Sequence, residues 1–418
     1  LTVLSVTEAQ QAILARIRRL EPETASLLEA LGRVLAEDVI AAAALPPFDN
    51  SAMDGYAVRA ADLIGASPDR PVRLPVIADV PAGHPTTVEI APGTAARITT
   101  GALLPRGADT IVPVEDTDDR ARGSSELLES VAIFTAFAQG AHVRMAGDDV
   151  QPGQRVLRAD TLIRPPEIAL MSAVGYSRVK VYRRPRVALL ATGDELVPPH
   201  RLPGPGQIRN VNEYSTAAQV MRHGGVPLLL GIAHDQVEEV AAKLEEAIGQ
   251  GADLIVASAG VSVGAYDVVK DAVQAHGSID LWKVRMRPGK PIAFGAYRQV
   301  PFFGLPGNPV SAMMTFEQFV RPALRIMSGF TRWQKPTVAV TLLEAITSDG
   351  RETYARAWVE QQAGRWTARL SGGQGSNMLH SLARANALVI VPDGVTQLEA
   401  GTVAQAQMLD WPEEIDGL

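Results

Sequence analysis

The sequence contains no cysteine in 418 residues. That absence excludes disulfides, thiol nucleophiles, thiolate zinc or iron–sulfur sites, and any metal held by protein sulfur. Long apolar runs are missing too: no stretch approaches the roughly 18 uninterrupted apolar residues of a membrane span. Near its start the chain carries Thr7, Glu8, Gln10, Gln11, Arg16, Arg18 and Arg19, polar where a secretory leader would be apolar. A soluble, cytoplasmic protein is expected. Basic excess is absent, since 39 Lys and Arg stand against 46 Asp and Glu, a net charge of −7 that argues against a general nucleic-acid binder. Neither G-x-G-x-x-G after the first strand of the α/β region nor G-x-x-x-x-G-K-[ST] occurs, which disfavours a Rossmann dehydrogenase and a P-loop NTPase. The seven histidines form no H-E-x-x-H and no close pair, so a histidine zinc site is not expected.

What is present is enough chain for two to four domains at about 100–200 residues each. From Arg186 to Met327 short apolar runs (RVALLAT, VPLLLGIA, DLIVASA, VPFFG) alternate with helix-like segments (VNEYSTAAQVMRH, QVEEVAAKLEEAIG, AYDVVKDAVQAH, VSAMMTFEQFVRPALRIM). That alternation predicts an α/β domain with a mostly parallel sheet buried on both faces. Upstream, EAQQAILARIRRL has helical spacing and Pro165–Pro166 opens a second helix through IALMSAVG. Between them, residues 46–140 are rich in Pro, Gly, Val and Thr and hold β-like pieces such as VRLPVIADV and DTIVPVED, the pattern of a β-rich insertion. After Trp333 five strand-like segments predict a small C-terminal β domain.

Three glycine-bearing loops follow predicted strands of the α/β region: Thr192-Gly193-Asp194-Glu195, then Ser258 to Gly264 with Gly260 and Ser262 between, then Pro306-Gly307-Asn308-Pro309. Loops after parallel strands emerge on one edge, where ligands bind, and glycines with exposed N–H groups favour phosphate. Each alone reads as a tight turn; three on one edge read as a site. WKVRMRPGKP clusters Lys283, Arg285, Arg287 and Lys290, and a strand over Ile279–Arg287 would put the first three on one face. Such a stripe is either a solvated face or the counter-charge of an anionic ligand. Glu195, Asp235 and Asp267 fall near strand-to-helix junctions, where an acid caps a helix or holds Mg²⁺ and activates water. For Asp235 by itself the cap is the simpler reading.

PPFDNSAMDGYAVRAAD, RITTGALLP, ATGDEL, SAGVSVGAYD, MRPGKP and GLPGNPVSA, in this order, resemble the molybdopterin molybdenumtransferase family, which includes the C-terminal domain of gephyrin. The likeness covers nearly the whole chain. It implies a helical linking domain (1–45 plus 141–180), an inserted β-rich domain (46–140), a molybdopterin-binding α/β domain (181–330) and a C-terminal β-barrel-like domain (331–418). It also implies a homodimer with the active site shared between subunits. The implied reaction inserts molybdate into adenylated molybdopterin with release of AMP and needs Mg²⁺. By resemblance, functional roles fall on Asp54, Thr100, Asp149, Glu195, Asp235, Asp267, Lys283, Arg287, Arg356 and Ser376, with Glu195 and Asp267 as Mg²⁺ ligands. The three glycine loops would bind the substrate through Thr192, Gly193, Ser258, Gly260, Ser262, Gly264, Pro306, Gly307, Asn308 and Pro309. A molybdopterin adenylyltransferase and apo-molybdoenzymes are the implied partners. Arg287 stands where some members have lysine, Ala259 where glycine is common, and Val211 breaks an RNSN pattern. The alternatives are the adenylyltransferase of the preceding step, a gephyrin-like scaffold without catalysis, and a redox user of the finished cofactor, for which no motif speaks.

Overall fold

The computed structural model describes residues 2–119, 126–258 and 265–414, except the side chains of residues 2, 265–267, 281 and 413. The chain forms two compact units: Leu1–Ala25, Gly32–Ala36 and Lys180–Leu418 in one, Ser26–Leu31 and Glu37–Val179 in the other. No helix among the described residues is long and apolar enough to cross a membrane.

In the first unit a seven-stranded sheet runs in the order Thr2–Leu4, Gly277–Val284, Pro291–Tyr297, Val300–Leu305, Leu254–Ser258, Arg186–Thr192, Val226–Ala233. Alternate residues feed opposite cores, as the two-residue period of a strand requires. Val187, Leu189, Val256, Phe303 and Leu305 pack on one face with Val310, Phe319 and Leu324. Ala188, Leu190, Ile255, Ala257 and Phe302 pack on the other with Val240, Leu244 and Val269. The sheet is mostly parallel, as expected, except that Pro291–Tyr297 runs antiparallel to both neighbours. It returns to Val300–Leu305 through Arg298-Gln299, both at positive φ, a two-residue turn too short for a parallel crossover.

The expected strand over Ile279–Arg287 is broken. It ends at Val284, and Met286–Arg287 instead pairs in parallel with Glu352–Thr353 of the C-terminal sheet. The N-terminal helix is shorter than its spacing predicts, Val6–Leu14, and starts at a capping box in which the Glu8 N–H donates to Ser5 Oγ at 3.2 Å and the Ser5 N–H to Glu8 Oε2 at 2.8 Å. Together with the edge strand Thr2–Leu4 it belongs to the α/β unit. Residues 37–45 and 141–179 carry one helix, Pro165–Ala173, and otherwise short pairings such as Val39–Ile40 with Arg155–Leu157. The β-rich insertion is a five-stranded sheet ordered Thr110–Pro113, Gly55–Val58, Ala95–Ile98, Val72–Val80, Ser130–Ile133.

The C-terminal strands Glu352–Gln362, Arg365–Leu370, Thr337–Leu342, Val403–Met408 and Ala387–Val391 pair in sequence, and the last pairs back to the first. A small barrel closes around Val340, Ala355, Ala357, Val389 and Ala406, with no free edge among these strands.

The helical stretch Pro309–Met327 contains one π-helical turn, Phe316–Val320. At this turn Glu317, 4% exposed, meets Lys335, Arg321 Nε at 3.0 Å and His223 Nε2 at 3.6 Å. Burial alone would push the Glu317 carboxyl up, but His223 beside it and the Lys335 and Arg321 cations outweigh it and hold the group well below its ordinary range. Its contribution to stability is therefore complete above the ordinary carboxylate pKa and lost as pH falls below it. Glu317→Gln, which leaves Lys335 and Arg321 buried without counter-charge, is expected to cost about 3–5 kcal/mol in urea denaturation at pH 7. The difference from the parent should shrink as the pH is lowered through 4.

Candidate functional site

The strands Arg186–Thr192, Leu254–Ser258 and Val300–Leu305 are parallel neighbours, so their C-terminal ends share one edge of the sheet. There a cavity of about 1160 Å³ opens. Its lining includes Thr192, Glu195, Ser258, Pro306, Gly307, Asn308 and Pro309, as the glycine loops predict. Gly260, Ser262 and Gly264 of the middle loop, with Ala259, lie outside the described residues, as does the Asp267 side chain. Gly193 has φ +145°, and a Cβ there would meet Glu195 Oε2 at 2.4 Å. The missing side chain is what lets Glu195 fold back over its own turn.

The lining of this cavity is also rich in cations. Arg287, Lys290, Arg209 and Arg351 line it, and Glu195 is its one carboxylate among the described lining residues. The pairing of Arg287 with Thr353 fixes where this charge stands, because it ties the MRPGKP turn to the barrel strand that carries Arg356. Arg356 is fully buried. Its Nε donates to Ser381 Oγ at 2.9 Å and its Nη2 to the carbonyls of Gly373 at 2.8 Å and Gly375 at 3.2 Å, all neutral acceptors, while Nη1 is buried without a partner. Burial, helped by the neighbouring Arg287, pulls the guanidinium down to about 10. A buried cation held only by neutral groups is poised to receive an anion.

The barrel supplies the cavity wall through Gln374, Gly375 and Ser376. Ser376 Oγ accepts from Asn308 Nδ2 at 3.2 Å, and Asn212 Nδ2 donates to the Gly307 carbonyl at 2.7 Å, so the Pro-Gly-Asn-Pro loop is held from both sides. Thr192, 3% exposed, keeps a buried Oγ1 without a partner.

Next to the Thr192–Glu195 turn, outside the cavity lining, the Asp235 N–H donates to Asp194 Oδ1 at 3.2 Å. Burial first, then Asp194 and Glu195, push the Asp235 carboxyl up, and its buried Oδ1 has no partner. Asp235 is not the helix cap: the following helix starts at Val237 with Gln236 in the cap position. Crowded carboxylates with an orphaned oxygen suit a hard divalent cation. Among the described residues no three acidic or histidine side chains form a ready-made metal cluster.

Other expected residues are distributed differently. Lys283 ends its strand on the same sheet edge but is exposed and does not line the cavity, and Arg285 is paired with Asp393 at 2.8 Å. Asp54, Thr100 and Asp149 lie in the second unit. There Asp54 Oδ1 accepts from Thr100 N at 2.6 Å and Thr100 Oγ1 at 2.9 Å, which joins two motifs 46 residues apart. The rest of that motif is structural. A Cβ on Gly55 would meet the Val112 carbonyl oxygen at 2.0 Å, and buried Tyr56 donates to Asp119 Oδ2 at 2.8 Å. Arg209 and Asn212 flank Val211 in RNVN, and Gln374 sits among Gly372, Gly373 and Gly375, but the sequence alone assigns no role to these residues or to Arg351.

Fold and site together define an α/β pocket with a largely cationic lining, walled on one side by a small β-barrel. Residues 4–175 match the MoeA N-terminal region (domain I and II), 188–326 the probable molybdopterin binding domain, and 339–409 the MoeA C-terminal region (domain IV). The chain is 41% identical over 409 residues to molybdopterin molybdenumtransferase 2 of Mycobacterium tuberculosis, covering 96% of this chain and 98% of that protein. It is 39% identical to molybdopterin molybdenumtransferase of Nostoc sp., covering 91% and 87%. A crystal structure of a molybdopterin biosynthesis MoeA protein from Pyrococcus horikosii superposes with a TM-score of 0.80 at 30% identity, covering 98% of this chain and all of that one. The chain belongs to the molybdopterin molybdenumtransferase family.

Gly193→Ala is expected to cost about 1–3 kcal/mol in thermal or urea melts, because the left-handed backbone is strained by any side chain. It should also displace the Glu195 carboxylate, visible in a crystal structure of the variant.

Proposed function

We propose that this protein transfers molybdenum from molybdate to adenylated molybdopterin, with release of AMP, in molybdenum cofactor biosynthesis. The observation that carries the reading is Arg356, a buried guanidinium with an unpartnered nitrogen and no carboxylate partner, held by the Gly373 and Gly375 carbonyls directly behind a cavity lined by Arg287, Lys290 and Glu195. The cations favour the oxyanion of molybdate. Glycine loops and Glu195 favour phosphates accompanied by a divalent cation. The names of the relatives support the same reaction.

In this reading Arg287, Lys290 and Ser376 receive molybdate and Arg356 adds its charge from behind the wall, while the charge of Arg351 is met by Asp349. Thr192, Ser258 and the Pro306–Pro309 loop hold the pterin and phosphates. Glu195, Asp235 and Asp267 hold Mg²⁺, which when bound supplies charge to the phosphoanhydride that releases AMP. Lys283, on the same edge, counters phosphate charge. The cations matter because carboxylates alone would repel both oxyanions.

We further propose a cytoplasmic homodimer in which Asp54, Thr100 and Asp149 of one subunit complete the pocket of the other. A molybdopterin adenylyltransferase supplies its substrate and apo-molybdoenzymes receive its product. Matches to both the N-terminal and the C-terminal family regions favour insertion over the adenylyltransferase reaction.

Purified protein with adenylated molybdopterin, Mg²⁺ and molybdate is expected to release AMP and yield active cofactor, with little release when molybdate is omitted. ATP-dependent formation of adenylated molybdopterin would refute the reading. Glu195→Gln should slow AMP release roughly 100-fold, equivalent to about 2.7 kcal/mol. Lys283→Ala should lower molybdate-dependent release; an unchanged rate removes Lys283 from the site.

A further inference from the structure

The barrel strand Glu352–Gln362 pairs with Ala387–Val391 along Thr353–Ala357, but on its other side with Arg365–Leu370 only from Ala357 onward. At Arg356 the second neighbour runs out. Ser371 N still donates to the Arg356 carbonyl at 3.1 Å, and the chain then leaves through Gly372 and Gly373. The Arg356 N–H would be an orphan there, which a buried backbone rarely tolerates. The Gln374 side chain fills the place of the missing strand. Its Oε1 accepts from Arg356 N at 2.9 Å, and its Nε2 donates to the Arg356 carbonyl at 3.1 Å and the Gly372 carbonyl at 2.8 Å. From the other direction the Arg356 guanidinium holds the carbonyls of Gly373 and Gly375. The Ser371–Ser376 turn is thus clasped to one residue by backbone and side chain together. It ends on Ser376, which meets Asn308 Nδ2 through Oγ and Val310 N through its carbonyl.

We propose that Gln374 is a positioning residue for the oxyanion end of the cavity. Its carboxamide fixes the turn that brings Ser376 to the Pro306–Pro309 loop and holds Arg356 with Nη1 unspent. The proposal rests on the reading that this end receives molybdate. The chemistry requires an acceptor and a two-hydrogen donor on one short planar group, which an amide provides and an ionised carboxylate does not. Gln374→Glu therefore keeps the size and one acceptor bond but loses both donor bonds; Gln374→Ala loses all three.

The test uses the full chain and two probes: calorimetric titration with molybdate alone, and half-saturating concentrations of molybdate and of adenylated molybdopterin in AMP release. Both variants are expected to need roughly tenfold more molybdate, with the adenylated molybdopterin value within about twofold of the parent. A parent chain that neither binds molybdate nor releases AMP refutes the reading of the cavity itself. A parent that responds, with variants that match its molybdate dependence, refutes the role of Gln374 alone. Equal losses for both substrates, or a collapse of the melting temperature in both variants, also overturn it, because Gln374 would then be holding the barrel together.

Discussion

The short parallel pairing of Met286–Arg287 with Glu352–Thr353 is the joint on which the site depends. Without it the α/β sheet would present glycine loops and carboxylates but no wall, and the barrel would bury Arg356 far from any ligand. Two residues of β-pairing lock the MRPGKP turn to the strand that carries Arg356. Arg287 and Arg356 then lie close enough for one to lower the proton affinity of the other. Like charges are brought together by backbone hydrogen bonds, which do not depend on the charges themselves. The electrostatic cost of that approach is carried by the fold, and in the proposed reading an anion would relieve it.

Elsewhere the same chain neutralises its buried charge internally. Glu317 gathers Lys335, Arg321 and His223 around one carboxylate. Burial pulls the His223 ring below its ordinary value despite that carboxylate, so at neutral pH it stays uncharged. The two clusters differ in kind: Glu317 is surrounded by its own cations, whereas the Arg356 guanidinium is held by neutral acceptors.

Much of this was legible in sequence because it follows short-range rules. Strand runs such as LIVAS and helices such as VEEVAAKLEEAIG were readable by period and turn residues, and the three loops followed from strand order. The break after Val284 was not. WKVRMR alternates as one strand would, and only pairing with a segment 66 residues away, Glu352, takes Met286 out of it. Arg351 was unreadable for the same reason, since it donates to the Met286 carbonyl of another domain, whereas Gln374 needed the folded barrel to bring it to Arg356. Asp54 and Thr100 were identified by resemblance, whereas their hydrogen bond required folded backbone. In MDGYA the motif mixes purposes: Asp54 faces outward, while Gly55 and Tyr56 are fixed by the Val112 carbonyl and Asp119.

The π-helical turn at Phe316–Val320 has a consequence for the helix that begins in the cavity wall. Each residue of a regular helix advances the side-chain direction by about 100°, and a wide turn absorbs one residue without lengthening the path. The two ends of Pro309–Met327 are therefore out of phase with one another. The first end can keep Val310 and Met314 on the sheet, and the far end can still aim Arg321 at Glu317. A single residue thus acts as a phase correction between two environments that no uniform helix could serve. In this stretch an insertion or deletion of one residue would be a larger change than most substitutions.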